Sequence, residues 1–146
     1  MKKVTLFRPL KTDYLELINV WERSVRATHH FLDEKDIVLY KALIYNDYLY
    51  QVDLYGVKQN KHILGFIGLD GDTIQMLFID PIARGKGVGK YLIDFAIKQK
   101  GIRKVDVNEQ NEQAVGFYLH LGFNITERFE EDASGRPYPI LAMELK

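Results

Sequence analysis

The spacing of apolar positions changes several times along this chain, and each change predicts an element. Val4 to Arg8 is short, β-branched and aromatic, and stops at Pro9, as a first strand would. The spacing then lengthens. Tyr14, Ile18, Trp21 and Val25, with Leu17 beside them, recur at helical intervals behind a capping Thr12-Asp13. Ala27-Thr28-His29-His30-Phe31-Leu32 breaks that pattern. Asp33-Glu34 then opens a second helix with Ile37, Tyr40 and Ile44 on one face.

From Tyr50 the chain reads as strands. Tyr50 to Lys58, His62 to Leu69 and Thr73 to Ile79 are three β-rich runs joined by Gln59-Asn60-Lys61 and Asp70-Gly71-Asp72, which predicts an antiparallel meander. Val88, Leu92, Phe95 and Ala96 then share one side of a helix that Gly101 stops, just behind Lys98 and Lys100. Arg103 to Asn108 is a strand reached through a helix, so it should lie parallel to the strand ending at Ile79. Asn111 caps a short helix through Leu121, ended by Gly122. Phe123 to Phe129 and Tyr138 to Leu145 form a last hairpin around the loop from Glu130 to Pro137. The order β-α-α-β-β-β-α-β-α-β-β predicts a mixed α/β fold, one sheet with helices on both faces. No repeat or linker divides it, so residues 1–146 are expected to form a single domain.

Composition narrows the chemistry. Twenty Lys and Arg balance twenty Asp and Glu, which argues against nucleic acid as a partner. No cysteine is present, so disulfides, a thiol nucleophile and thiolate metal sites are excluded. Met1-Lys2-Lys3-Val4 leads into no apolar run of signal-peptide or membrane-span length, and a cytoplasmic protein without a membrane partner is expected. His29 and His30 are adjacent, diverging by about 100° on a helix. His62 and His120 fall in other elements, so no metal site is expected.

The chemistry concentrates in Leu77-Phe78-Ile79-Asp80-Pro81-Ile82-Ala83-Arg84-Gly85-Lys86-Gly87-Val88-Gly89-Lys90. A strand, a glycine-rich turn and a helix N-terminus converge several backbone N–H groups on one point. The helix dipole favours an anion there, and glycine lets a phosphate approach the amides. A Walker loop would need Gly at 84, where Arg84 stands, and a hydroxyl at 91, where Tyr91 stands. A dinucleotide fingerprint begun at Gly85 or Gly87 fails at Lys90 or Leu92.

Arg84-x-x-Gly87-x-Gly89 instead resembles the acyl-CoA signature of the GCN5-related N-acetyltransferases, the GNAT superfamily. Asn111 through Phe117-Tyr118 to Gly122-Phe123 is similar to that family's second element, in the right order. Arg23-Ser24-Val25-x-Ala27-Thr28-His29, Asn108 to Gln113 and Gly135-Arg136-Pro137-Tyr138-Pro139 resemble a small bacterial subgroup of single-domain N-acetyltransferases, whose acceptors the resemblance does not supply.

The resemblance implies a mostly antiparallel twisted sheet in which the strands ending at Ile79 and Asn108 are a splayed parallel pair. It implies acetyl-CoA as co-substrate, with backbone groups of Leu77 and Ile79 on either side of Phe78 pairing with the pantetheine amides. The Leu77 N–H would meet the thioester oxygen. Arg84, Gly85, Lys86, Gly87, Val88 and Gly89 would hold the diphosphate, with Lys90 as a further charge. Asn111 would bond the cofactor as well as cap its helix, and Tyr118 would protonate the departing thiolate.

The general base is less determined. An amine of pKa ~10.4 must lose a proton, at a cost of about 4–5 kcal/mol at neutral pH. Gln75 and Met76 offer no charge on the strand before the loop. Asp106, through a water, and His29, in the break that frames the family's acceptor pocket, are the alternatives. Glu130, Glu131 and Asp132 favour a cationic acceptor, a small molecule or a peptide amine. Tyr45, Tyr48, Tyr50 and Tyr55 leave core, pocket or a homodimer interface open. Direct transfer without an acyl-enzyme is the expected reaction. A non-catalytic acyl-CoA-binding module is the competing class, and a nucleotide-binding module a third.

Overall fold

The computed structural model describes residues 4–145. In chain order the strands and helices are β1 (Thr5–Phe7), α1 (Tyr14–Thr28), α2 (Glu34–Asn46), β2 (Asp53–Gln59), β3 (His62–Asp70), β4 (Thr73–Ile79), α3 (Val88–Lys100), β5 (Lys104–Asn108), α4 (Glu112–His120), β6 (Phe123–Phe129) and β7 (Ile140–Leu145). The strands form one sheet in the order β1-β2-β3-β4-β5-β7-β6, antiparallel at every step except β4 to β5.

That parallel step is short. Only Thr73 with Lys104 and Ile74 with Val105 are paired. Immediately afterwards Gln75 has no opposite number on β3, whose register jumps from Leu69–Ile74 to Gly68–Met76. Such a bulge bends its strand, and β4 leaves β5 at this residue. A second bulge lies on β3, where Leu64 falls between the Lys58–Ile63 and Val57–Gly65 pairs. Its carbonyl accepts the Asp80 N–H at 2.8 Å, which fixes the chain as it leaves β4.

Adjacent strand residues feed two apolar clusters. Phe66 and Met76 pack with Leu17, Trp21 and Val25 of α1 and Ile37 and Ile44 of α2. Ile67, Ile74 and Val105 pack with Leu92, Ile93 and Ala96 of α3 and Tyr118 of α4. Burying a large aliphatic side chain contributes about 1.5–3 kcal/mol, so these two layers hold the helices on the sheet.

Apart from shifts of one residue at several ends, three boundaries differ from the sequence reading. A 3₁₀ turn, Lys11–Asp13, precedes α1, and Asp13 accepts the Leu10 N–H at 2.8 Å instead of capping α1 itself. Tyr48–Tyr50 is another 3₁₀ turn, because the fully buried Leu49 draws the backbone inward before β2 begins at Asp53. Finally, β7 begins at Ile140, not Tyr138. Pro137 and Pro139 have no N–H to give a ladder, and Tyr138 instead donates its hydroxyl to Asp36 of α2.

Candidate active site

Beyond β4 the backbone is held tightly and then opened. Asp80 is 3% exposed. Its Oδ1 accepts the Ile82 N–H at 3.2 Å, capping the turn Pro81–Ala83. Its Oδ2 accepts from Arg23 Nε at 3.1 Å and Nη2 at 2.6 Å. Gly85 and Gly87 then take left-handed φ of +74° and +79° before α3 begins at Val88. A Cβ on Gly89 would come no nearer than 3.8 Å to Ile79 and Phe117, so it would occupy the space in front of the helix end without clashing.

That space belongs to a cleft of about 510 Å³. The loop lines it with Arg84, Gly85 and Gly87 to Lys90, and β4 lines it with Leu77, Phe78 and Ile79. Ser24, Thr28 and His29 close it from α1, and Asn111, Phe117 and Tyr118 from α4. Lys86 is absent from this lining, and Lys90, which is present, also pairs with Asp94 at 3.0 Å. The Asn111 side chain accepts from the Ala114 N–H at 3.4 Å, so its capping role is formed.

A second cavity of about 810 Å³ lies further along β4. Gln75 and Met76 line it, whereas Leu77 lines the first, so the two share β4 as a wall and change over between Met76 and Leu77. Asp106 sits here, with Asp70, Glu131 and Asp132, and among the described residues no Lys, Arg or His lines it. Tyr40 and Ser134 also line it, and both donate to Asp132, Ser134 at 2.6 Å. The loop between β6 and β7 is thereby fastened to α2. Tyr40 was visible in the sequence only as part of an apolar stripe.

Burial sets the electrostatics. It raises Tyr118 far above the usual phenol range, so the side chain stays protonated at neutral pH. It also raises Asp106 above the ordinary carboxylate value. Burial, with the positive Arg84 and then His30 adding to it, lowers His29 to about 4. Thr28 Oγ1 lies 2.8 Å from the Ser24 carbonyl and 2.7 Å from His29 Nδ1. A carbonyl only accepts, so the Thr28 proton goes to Ser24, His29 Nδ1–H donates to Thr28, and Nε2 keeps its lone pair. Asp132 differs. Burial would raise it, but Ser134, Tyr40 and backbone N–H groups hold it below the usual carboxylate value.

The sequence-derived residues therefore divide. Tyr118, Asn111 and the glycine loop come together in the smaller cleft, and Asp106 lies in the larger cavity. His29, expected at the acceptor side, lines the smaller cleft beside the loop, because α1 runs across the end of β4. Arg23 and Asp80 carried no local signal of their pairing, being 57 residues apart. Among the described residues no group of three or more His, Cys, Asp or Glu is placed to hold a metal ion, and no helix is long and apolar enough to cross a membrane.

Residues 51–125 match the family model for the acetyltransferase (GNAT) domain. The chain belongs to the GCN5-related N-acetyltransferase family, a class of acyltransferases that move acetyl from acetyl-CoA to an amine. It is 42% identical over 127 residues to the peptidyl-lysine N-acetyltransferase YjaB of Salmonella typhimurium, covering 86% of this chain and 87% of that protein. The Escherichia coli protein of the same name is also 42% identical, over 86% of each chain. The solution structure of apo-form YjaB from Escherichia coli matches with a TM-score of 0.89 and 38% identity over 97% of both chains. The fold is also that of the PaiA N-acetyltransferase from Thermoplasma acidophilum in complex with coenzyme A, with a TM-score of 0.77 and 22% identity over 99% of both chains. None of these matches favours the non-catalytic alternative.

Proposed function

We propose that this chain acetylates the side-chain amine of a lysine in a peptide segment by direct attack on acetyl-CoA. The observation that carries the reading is the change of cavity between Met76 and Leu77. One side has the glycine loop with Arg84 and Lys90. The other has four carboxylates and, among the described residues, no cation. The names of the 42% identical relatives point to the same acceptor class.

The residues present fit acetyl-CoA. The cleft offers open space before the α3 N-terminus, and from Gln75 onward the β5-facing edge of β4 is unpaired. When bound, the thioester supplies an activated acyl carbon. The α3 N-terminus, Arg84 and the amides of Gly85, Gly87, Val88 and Gly89 hold the diphosphate. Leu77 and Ile79 offer backbone groups to the pantetheine, and the Leu77 N–H supports the thioester oxygen. Asp106 takes the ammonium proton through a water, and its raised pKa improves its match to a base working near neutral pH. Tyr118 gives its proton to the departing sulfur. His29, neutral at pH 7, offers Nε2 as an acceptor in the cofactor cleft.

Tyr118→Phe tests the assignment. It should lower kcat for a lysine peptide about 100-fold or more while calorimetric acetyl-CoA affinity is kept. An unchanged kcat would remove Tyr118 from this role. Folded wild-type protein that binds no acetyl-CoA would remove the reading as a whole.

A further inference from the structure

We infer that Arg23 and Asp80 are positioning residues that set the width of the cleft at its diphosphate end, an inference that rests on the acetyl-CoA reading above. Asp80 ties three parts of the fold together. Its N–H bonds the Leu64 carbonyl at the β3 bulge, its Oδ1 caps the turn Pro81–Ala83, and its Oδ2 takes both contacts from Arg23 on α1. The residue next to Arg23 is Ser24. Together with Thr28 and His29 it lines the cleft from α1, while Arg84 and the glycines line it from the loop.

The ion pair therefore bridges the two walls between which a diphosphate would lie. Among the described residues no other side-chain hydrogen bond or ion pair joins α1 to the segment from Asp80 to Lys90. A buried carboxylate is costly to desolvate, and such a pair is weak evidence for stability in itself. What it supplies is geometry. The Arg fork approaches one oxygen through two nitrogens, leaving the other oxygen for the Ile82 N–H. The start of the loop is thus fixed relative to α1 in distance and in angle.

Two variants separate positioning from general structure. Asp80→Asn keeps an oxygen for the Ile82 N–H and removes the charge. Arg23→Lys keeps the charge and removes the fork. Both should raise the calorimetric Kd and the KM for acetyl-CoA about tenfold, while kcat and the KM for the lysine peptide stay within about twofold. Arg23→Lys should show this loss with little change in Tm. If Asp80→Asn fails to fold, Arg23→Lys alone decides the matter. Arg23→Lys with wild-type affinity for acetyl-CoA overturns the inference and leaves the acetyltransferase reading standing. So does a loss that falls equally on both substrates. Wild-type protein that binds no acetyl-CoA overturns that reading and this one together.

Discussion

Gly87 has nothing within 4 Å of where a Cβ would stand, yet its φ is +79°. Its cost of replacement is therefore conformational and not steric. Gly87→Ala should lower stability by about 1–2 kcal/mol and weaken acetyl-CoA binding by more than that accounts for, since the same Cβ would enter the proposed diphosphate site. Chemical denaturation and calorimetry on one preparation would check both. His29 makes a different kind of statement, about pH. Its native pKa is depressed from 6.5 to about 4. Between those values the unfolded chain takes up a proton that the native chain does not. Stability from keeping His29 neutral is thus present above pH 6.5 and is lost as pH falls toward 4, a contribution of at most about 3 kcal/mol. Thermal melts of wild type and His29→Gln from pH 7 to pH 4 should converge on acidification. Parallel curves would show that His29 is not held neutral.

At the level of elements, side-chain contacts fasten the loop between β6 and β7 to α2. They include Tyr40 to Asp132, Ser134 to Tyr40 at 3.5 Å, Tyr138 to Asp36, and Arg136 to Asp36 at 3.7 Å. Tyr138→Phe removes one of them with little change of shape. It should lower stability by about 1–2 kcal/mol and raise the KM for the amine severalfold, with the KM for acetyl-CoA unchanged. Steady-state kinetics with each substrate varied in turn would show whether the loop serves only the acceptor side. These contacts also mark where sequence reading gave out. The order of strands and helices was legible because each element announces itself through residues three, four or two apart. The glycine loop was legible because its chemistry is contiguous. Tyr138 read as the start of a strand because its bond to Asp36 spans 102 residues. Arg23 with Asp80, and the side of β4 on which His29 falls, escaped for the same reason. The bulge at Gln75 left no mark in composition, since an unpaired residue is a property of two strands and not of one.

On the scale of the whole molecule, net charge is zero but the charge is sorted. The larger cavity is lined by Asp70, Asp106, Glu131 and Asp132, with no Lys, Arg or His among the described residues. Lysine peptides with Arg flanking the acceptor should therefore show kcat/KM about tenfold above those with Glu there, and the difference should shrink as salt rises. Equal rates across such a panel would leave the cavity's carboxylates without a part in selection. The sheet itself has a last consequence. Its seven strands are joined in the middle by two residue pairs, so β1–β4 and β5–β7 are nearly separate fabrics sewn by a single short seam. Under the proposed function the pantetheine arm completes the weave on binding and unpicks it on leaving. The gap at the centre of the sheet is then the place the donor occupies, while one apolar core, with Ile74, Val105 and Leu141 in it, spans the two halves.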